Sequence, residues 1–145
     1  MSNALKQRVA DYLKRKPYGT LATVSPDGRP VTHAMGFVSQ GTTISFATSR
    51  DTRKFQNIQS NPQVAFSAED ATENWLQIKG VQIQGTVCVV EESQKGSVGA
   101  LFIAKYPQMA NLPPDPRFVF LKMTPSEAYF LDYSKGFGHR EHVTF

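Results

Sequence analysis

Cysteine is nearly absent: Cys88 is the only one in 145 residues. No disulfide can form within the chain. A thiolate zinc site is excluded as well, since it takes two to four cysteines at short spacing. Long apolar runs are also missing, and none approaches the roughly 20 residues that cross a bilayer. The N-terminal stretch has no signal-peptide core, so the expected setting is the cytoplasm, with no membrane partner. There is no GxxxxGK[ST] nucleotide loop, no internal repeat and no low-complexity segment. Acids fall in turns or at strand ends (Asp27, Asp51, Glu69, Asp70, Glu91, Glu92), which leaves no paired-carboxylate site. No Ser/His/Asp arrangement carries a nucleophile signature. The three histidines are His33, His139 and His142. The last two stand three apart with no evident third ligand, so no metal site is expected.

What remains is the composition of one folded domain covering residues 1–145. Apolar residues make up 40%, charged residues 19% and aromatics 11%, which argues against disorder. The net charge of +4 suits a phosphate-bearing ligand as well as a nucleic acid. Nucleic acid is not the expected partner. The basic residues of the first helix lack aromatic interleaving and a helix-turn-helix companion.

Periodicity divides the chain. Ser2–Lys16 is amphipathic at helical spacing, with Leu5, Val9, Tyr12 and Leu13 on one face, and Pro17 stops it. Strands are expected over Tyr18–Val24, Pro30–Val38 and Thr43–Thr48. The turn Ser25-Pro26-Asp27-Gly28 and Gly41 separate them, in an antiparallel meander. A short helix with Phe55 and Ile58 facing inward ends at Asn61-Pro62. Gln63–Ala68 is the next strand, and a polar loop leads to a long β stretch from Trp75 to Val90. Gly80 and Gly85 inside that stretch suggest bulges or close backbone contacts. Trp75 is expected in core or dimer packing and Cys88 as an inert thiol. Ser93 caps a helix through about Lys105. Met109–Pro116 is an irregular, proline-rich loop, and Arg117–Met123 and Glu127–Tyr133 are the last strands. Mainly β content with three short helices predicts a small antiparallel barrel, closed or nearly so.

The segment Thr48 to Lys54 carries the most chemistry. A strand ends, a polar turn follows, and a helix starts at Asp51 or Thr52. Helix starts present unpaired backbone N–H groups and the positive end of the dipole. Here they lie beside hydroxyls (Thr48, Ser49, Thr52) and cations (Arg50, Arg53, Lys54). Such a set can cradle a phosphate, and a capped helix with solvated charges is the other reading.

The run from Tyr18 to Ser67 resembles the pyridoxamine 5'-phosphate oxidase-like, FMN-binding split-barrel superfamily. The marks are GTLATV, the PDGRP turn, the strand through His33 to Val38, and TSRDTRKFQNIQSNPQVAFS. Thr52, Arg53, Lys54, Asn61 and Pro62 follow the superfamily's order of strand, [S/T]-R-K, helix, N-P, strand. Ile78 to Gly85, Tyr106-Pro107 and Lys135 to Gly138 are similar to a branch of small uncharacterised bacterial proteins within it.

The resemblance implies a homodimeric, six-stranded split barrel with FMN at the subunit interface. It also implies hydride transfer through flavin N5, with a small-molecule substrate or a nicotinamide as the other reactant. Arg53 and Lys54 would hold the FMN phosphate, helped by Thr52, Ser49 or Thr48. The strand with His33 and Met35 would run beside the ring. Gln82, less so Gln84, would reach a flavin edge. Phe137 or Tyr133 would cover a ring face, and His139 of the HREH tail would serve the same site. The oxidase has an Arg where this chain has Thr32 and His33, and a Lys further on that has no counterpart here. No particular substrate is therefore implied, and no catalytic residue is assigned. A flavin carrier without turnover is the competing expectation. Relatives of the fold use deazaflavin or haem, so deazaflavin is the alternative cofactor and haem a lesser one.

Overall fold

The computed structural model describes residues 2–145. The helix α1 spans Ser2–Arg15, followed by β1 (Gly19–Val24), β2 (Pro30–Met35), β3 (Val38–Gln40) and β4 (Thr43–Ser49). Then come α2 (Arg53–Ser60), β5 (Gln63–Glu69), β6 (Lys79–Val89), α3 (Lys95–Lys105), β7 (Phe118–Asp132) and β8 (Arg140–Thr144). The strands form one antiparallel sheet in the order β2-β1-β5-β6-β7-β4-β3, with β8 also on β7. The mainly β class with three helices is as the sequence predicts, with eight strands rather than six.

The extra strands have physical causes. The expected strand Pro30–Val38 is cut at Gly36-Phe37. Its first part pairs with β1, and its second part with β4 at the far end of the sheet. The expected meander is therefore two hairpins at opposite ends, joined by two residues. The corner is pinned from α3. The Phe37 N–H donates to the Tyr106 hydroxyl at 2.9 Å, that hydroxyl donates to the Pro17 carbonyl at 2.5 Å, and Lys105 Nζ donates to the Phe37 carbonyl at 2.7 Å. Burial pushes the Lys105 ammonium down to about 8, because it sits over the Phe37 ring away from water.

Arg117–Met123 and Glu127–Tyr133 merge into the single strand β7. Its first half pairs with β4 and its second half with β8. Pro125 is tolerated inside it because it lies opposite Gly85, where the β6–β7 register shifts. The tail residues supply β8, a closing strand of five residues. Trp75 does not start a strand. Asn74 accepts from the Leu76 N–H at 3.1 Å and sets a short 3-10 turn there, leaving Trp75 60% exposed against Phe137 rather than in the core. The third helix begins at Lys95 after a 3-10 turn containing Ser93, and Pro107–Asn111 is a further 3-10 turn within the proline-rich loop.

The main core lies between α1, α2 and the inner face of the sheet, with Leu13, Leu21, Phe46, Phe66, Ile83, Leu121 and Met123 almost fully buried. A smaller cluster of Val38, Val90, Val98 and Phe102 seats α3. No described helix is long and apolar enough to cross a membrane. Gly85 is required by close approach, since a Cβ there would stand 2.3 Å from the Thr124 carbonyl oxygen. Gly85→Ala should therefore destabilise the fold by about 1–3 kcal/mol, the usual cost of overpacking. Urea unfolding would show this as a lower midpoint at unchanged slope, and an unchanged midpoint would contradict the register described.

Candidate functional site

The junction of β4 and α2 is built by hydroxyls. Thr52 is extended (φ −77°, ψ 152°) and caps α2, its Oγ1 accepting from the Phe55 N–H at 3.3 Å. The same hydroxyl donates to the Ser49 carbonyl at 2.8 Å. Its proton is thereby committed, so the 3.1 Å contact with Thr48 is a bond donated by Thr48. Thr48 and Thr52 thus serve the local fold, while Ser49 Oγ accepts from the Asp51 N–H at 3.2 Å.

Three cations remain around the helix start. Asp51, the adjacent acid, is drawn off by Arg117, which reaches it at 2.8 Å and also holds Asp115 at 3.1 Å. Among the described residues no carboxylate lies within bridging distance of Arg50, Arg53 or Lys54. The backbone N–H groups of the first helical turn have no partner inside the helix, and the dipole adds positive potential at this end.

His33 belongs to the same region. It pairs opposite Leu21, so its ring projects on the core side of β2, and its Nε2 lies 3.0 Å from Thr23 Oγ1. Thr23 accepts in turn from Asn57 Nδ2 of α2 at 3.0 Å. Burial first, then Lys54 and Arg53, hold the imidazole below its ordinary value, so His33 is neutral near pH 7. Thr23 and Asn57 are buried members of this site that the sequence reading missed. A threonine in a β-rich strand and an asparagine in a short polar helix give no sign of pointing at each other.

The other sequence candidates lie elsewhere. Met35 is 7% exposed and fills the main core. Gln82 is exposed on the outer face of the sheet, in a cross-strand row with Thr20, Ser67, Tyr129 and His142. Gln84 occupies the next row, opposite Ala65 and Glu127. Phe137, 70% exposed, packs edge-on against Trp75 and Tyr133. It and His139 follow the Asp132 end of β7, whereas α2 adjoins Ser49, which pairs with Phe118 at the opposite end of that strand. His139 Nε2 stands 3.7 Å from Glu141, and His142 is bonded to Glu127 at 2.8 Å. No cluster of metal-binding side chains occurs among the described residues. The chain therefore joins His33, Ser49, Arg53 and Lys54 into one region but leaves Gln82, Phe137 and His139 away from it.

A cleft of about 890 Å³ lies between α3 and the proline-rich loop, lined by residues such as Ile103, Met109, Leu112 and Phe118. Its charged residues, Arg117 and Asp115, are paired with each other. The Arg117–Asp51 ion pair links its rim to the turn before α2.

Residues 5–132 match the family model described as pyridoxamine 5'-phosphate oxidase. The chain belongs to this family. General stress protein 26 of Bacillus subtilis (strain 168) is 27% identical over 128 residues, 85% of each chain. A solved structure of a heme binding protein from Mycobacterium smegmatis shares the fold, with a TM-score of 0.82 at 16% identity over 99% of this chain. This chain spans only 58% of that protein's length. A structure of an F420 reductase aligns with a TM-score of 0.63 at 27% identity, over 81% of this chain and 93% of its own. The split-barrel resemblance read from the motifs is thus the family relationship.

The electrostatics of the site can be checked directly. His33 should titrate below the ordinary imidazole value of about 6.5, and Lys54→Met should raise its midpoint by removing one facing cation. Because folding lowers this pKa, the associated stability is present above the ordinary value. It is lost as pH falls through the folded one. Histidine-resolved NMR titration reads both states, and a midpoint unmoved by Lys54→Met would contradict the proximity.

Proposed function

We propose that the protein is an FMN-dependent oxidoreductase that seats the flavin phosphate on the N-terminus of α2. The observation that carries this reading is the pair Arg53 and Lys54, free of carboxylates, at a capped helix start beside a neutral histidine. The donor set fits a phosphate monoester: a guanidinium fork, an ammonium, backbone N–H groups and the Ser49 hydroxyl all donate to oxyanions. Membership of a family that usually binds flavin supports the same reading.

Bound there, FMN would supply hydride transfer at N5 between the ring and a small organic substrate or a nicotinamide. The chain's own residues bind and orient. Arg53 and Lys54 neutralise the phosphate, the buried body of α2 (Phe55, Asn57, Ile58) fixes the direction of these cations, and His33 contributes polarity without charge. The second half of the site comes from a second copy of the chain. This reading is supported by the outward position of Gln82 and by the exposed Phe137, which one protomer leaves apart from the cradle.

A deazaflavin in place of FMN is the second reading, favoured by the 27% identity with an F420 reductase. Haem fits less well, because His139 and His142 each stand beside a carboxylate, at 3.7 and 2.8 Å.

Replacing Arg53 and Lys54 together with alanine should weaken FMN binding about a hundredfold, from the loss of two charge-assisted contacts. The circular dichroism should stay unchanged. FMN fluorescence quenching reads the affinity, and wild-type affinity in the double variant would sink the assignment. Sedimentation equilibrium of the FMN-loaded protein should return twice the chain mass, and a single chain mass would remove the two-copy site.

A further inference from the structure

Three side chains form a directed series of hydrogen bonds that ends beside the cradle. Asn57 lies one turn along α2 from Arg53, on the buried face, and is 3% exposed. Its Nδ2 donates to Thr23 Oγ1 at 3.0 Å. Thr23 is 1% exposed, and its hydroxyl has a single proton to place. Among the described residues, the other polar group in reach of that oxygen is His33 Nε2, at 3.0 Å. The arrangement that gives each of these groups a partner places the threonine proton on an unprotonated Nε2. A neutral imidazole then carries its proton on Nδ1.

We propose that Asn57 and Thr23 are positioning residues: they hold His33 as the Nδ1–H tautomer, and this N–H is a third, uncharged donor for an anionic ligand carried by Arg53 and Lys54. The opposite tautomer would leave a lone pair on Nδ1, which repels an oxyanion. A charged imidazole would place a third cation against two that are already unpaired. The helix that carries both cations also carries Asn57, so one rigid element fixes the cations and, through Thr23, the histidine. The ligand rests on the FMN reading above, whereas the tautomer rests on the geometry alone.

The test uses the full chain labelled with ¹⁵N-histidine, where two-bond ¹H–¹⁵N correlations distinguish the tautomers. The wild type should show His33 protonated on Nδ1, without any ligand. Asn57→Asp replaces the donor with an acceptor, reverses the series, and should move the proton to Nε2. Thr23→Ser should keep the wild-type pattern, and Thr23→Val should lose it. FMN affinity should fall about fivefold in Thr23→Val, the loss of one neutral hydrogen bond, and be retained in Thr23→Ser. An Nε2–H signal in the wild type, or an unchanged one in Asn57→Asp, would overturn the positioning role. A lost Nδ1–H signal with undiminished FMN affinity in Thr23→Val would overturn its use by the ligand. Should the Arg53 and Lys54 assignment fail, the ligand-free spectra still decide the tautomer.

Discussion

The backbone of Phe37 ties the two ends of the sheet together. Its N–H and its carbonyl are held by Tyr106 and Lys105 at the C-terminal end of α3. Two residues cannot supply a ladder of hydrogen bonds, so closure at this corner rests on a few contacts made from about seventy positions downstream. The Phe37 side chain is fully buried and meets Phe66 edge-on at 4.9 Å, which couples the corner to the core. With the corner fixed, β2 must leave the sheet's end at a set angle. His33 then lies in the field of the cations on α2.

The candidate site follows from an electrostatic arrangement with a cost. Unpaired cations at a helix N-terminus face an unfavourable dipole, and like charges repel. A nearby acid would relieve this, and Asp51 is the residue in place to do it. Arg117 takes Asp51 instead, and the buried face of α2 anchors the helix against β1 through Asn57 and Thr23. Core packing thereby holds open a positive site that local charges alone would not favour. A site of this sign accommodates a phosphate dianion, and burial, with the same field added to it, holds the His33 imidazole below its ordinary value.

Much of this was legible in local sequence. Gly28 adopts φ +84° in the expected turn, Thr52 caps the expected helix, and Gly80 and Gly85 mark the close approaches their positions suggested. What escaped depended on distant partners. Gly36 is the sole local sign of a break, and the Tyr106 hydroxyl that holds the Phe37 backbone there comes from far along the chain. Pro125 reads as a boundary, yet the bulge opposite Gly85 lets one strand run through it. Trp75 has strand propensity, but the Asn74 cap turns the chain there. Arg53 and Lys54 stood out in the sequence by their type and place at a helix start, where a capped helix with solvated charges was the other reading until the family resemblance was added. The relay through Thr23 and Asn57 did not stand out, since a buried polar pair shows itself only when two elements are packed together.

The central claim is that the N-terminus of α2 recognises a phosphate. The most direct measurement compares the dissociation constants of FMN and riboflavin, which differ by that phosphate alone, across a range of salt. The account predicts that FMN binds at least about tenfold more tightly at low salt, with the gap narrowing as ionic strength rises. Equal affinity for the two at every salt concentration would contradict it.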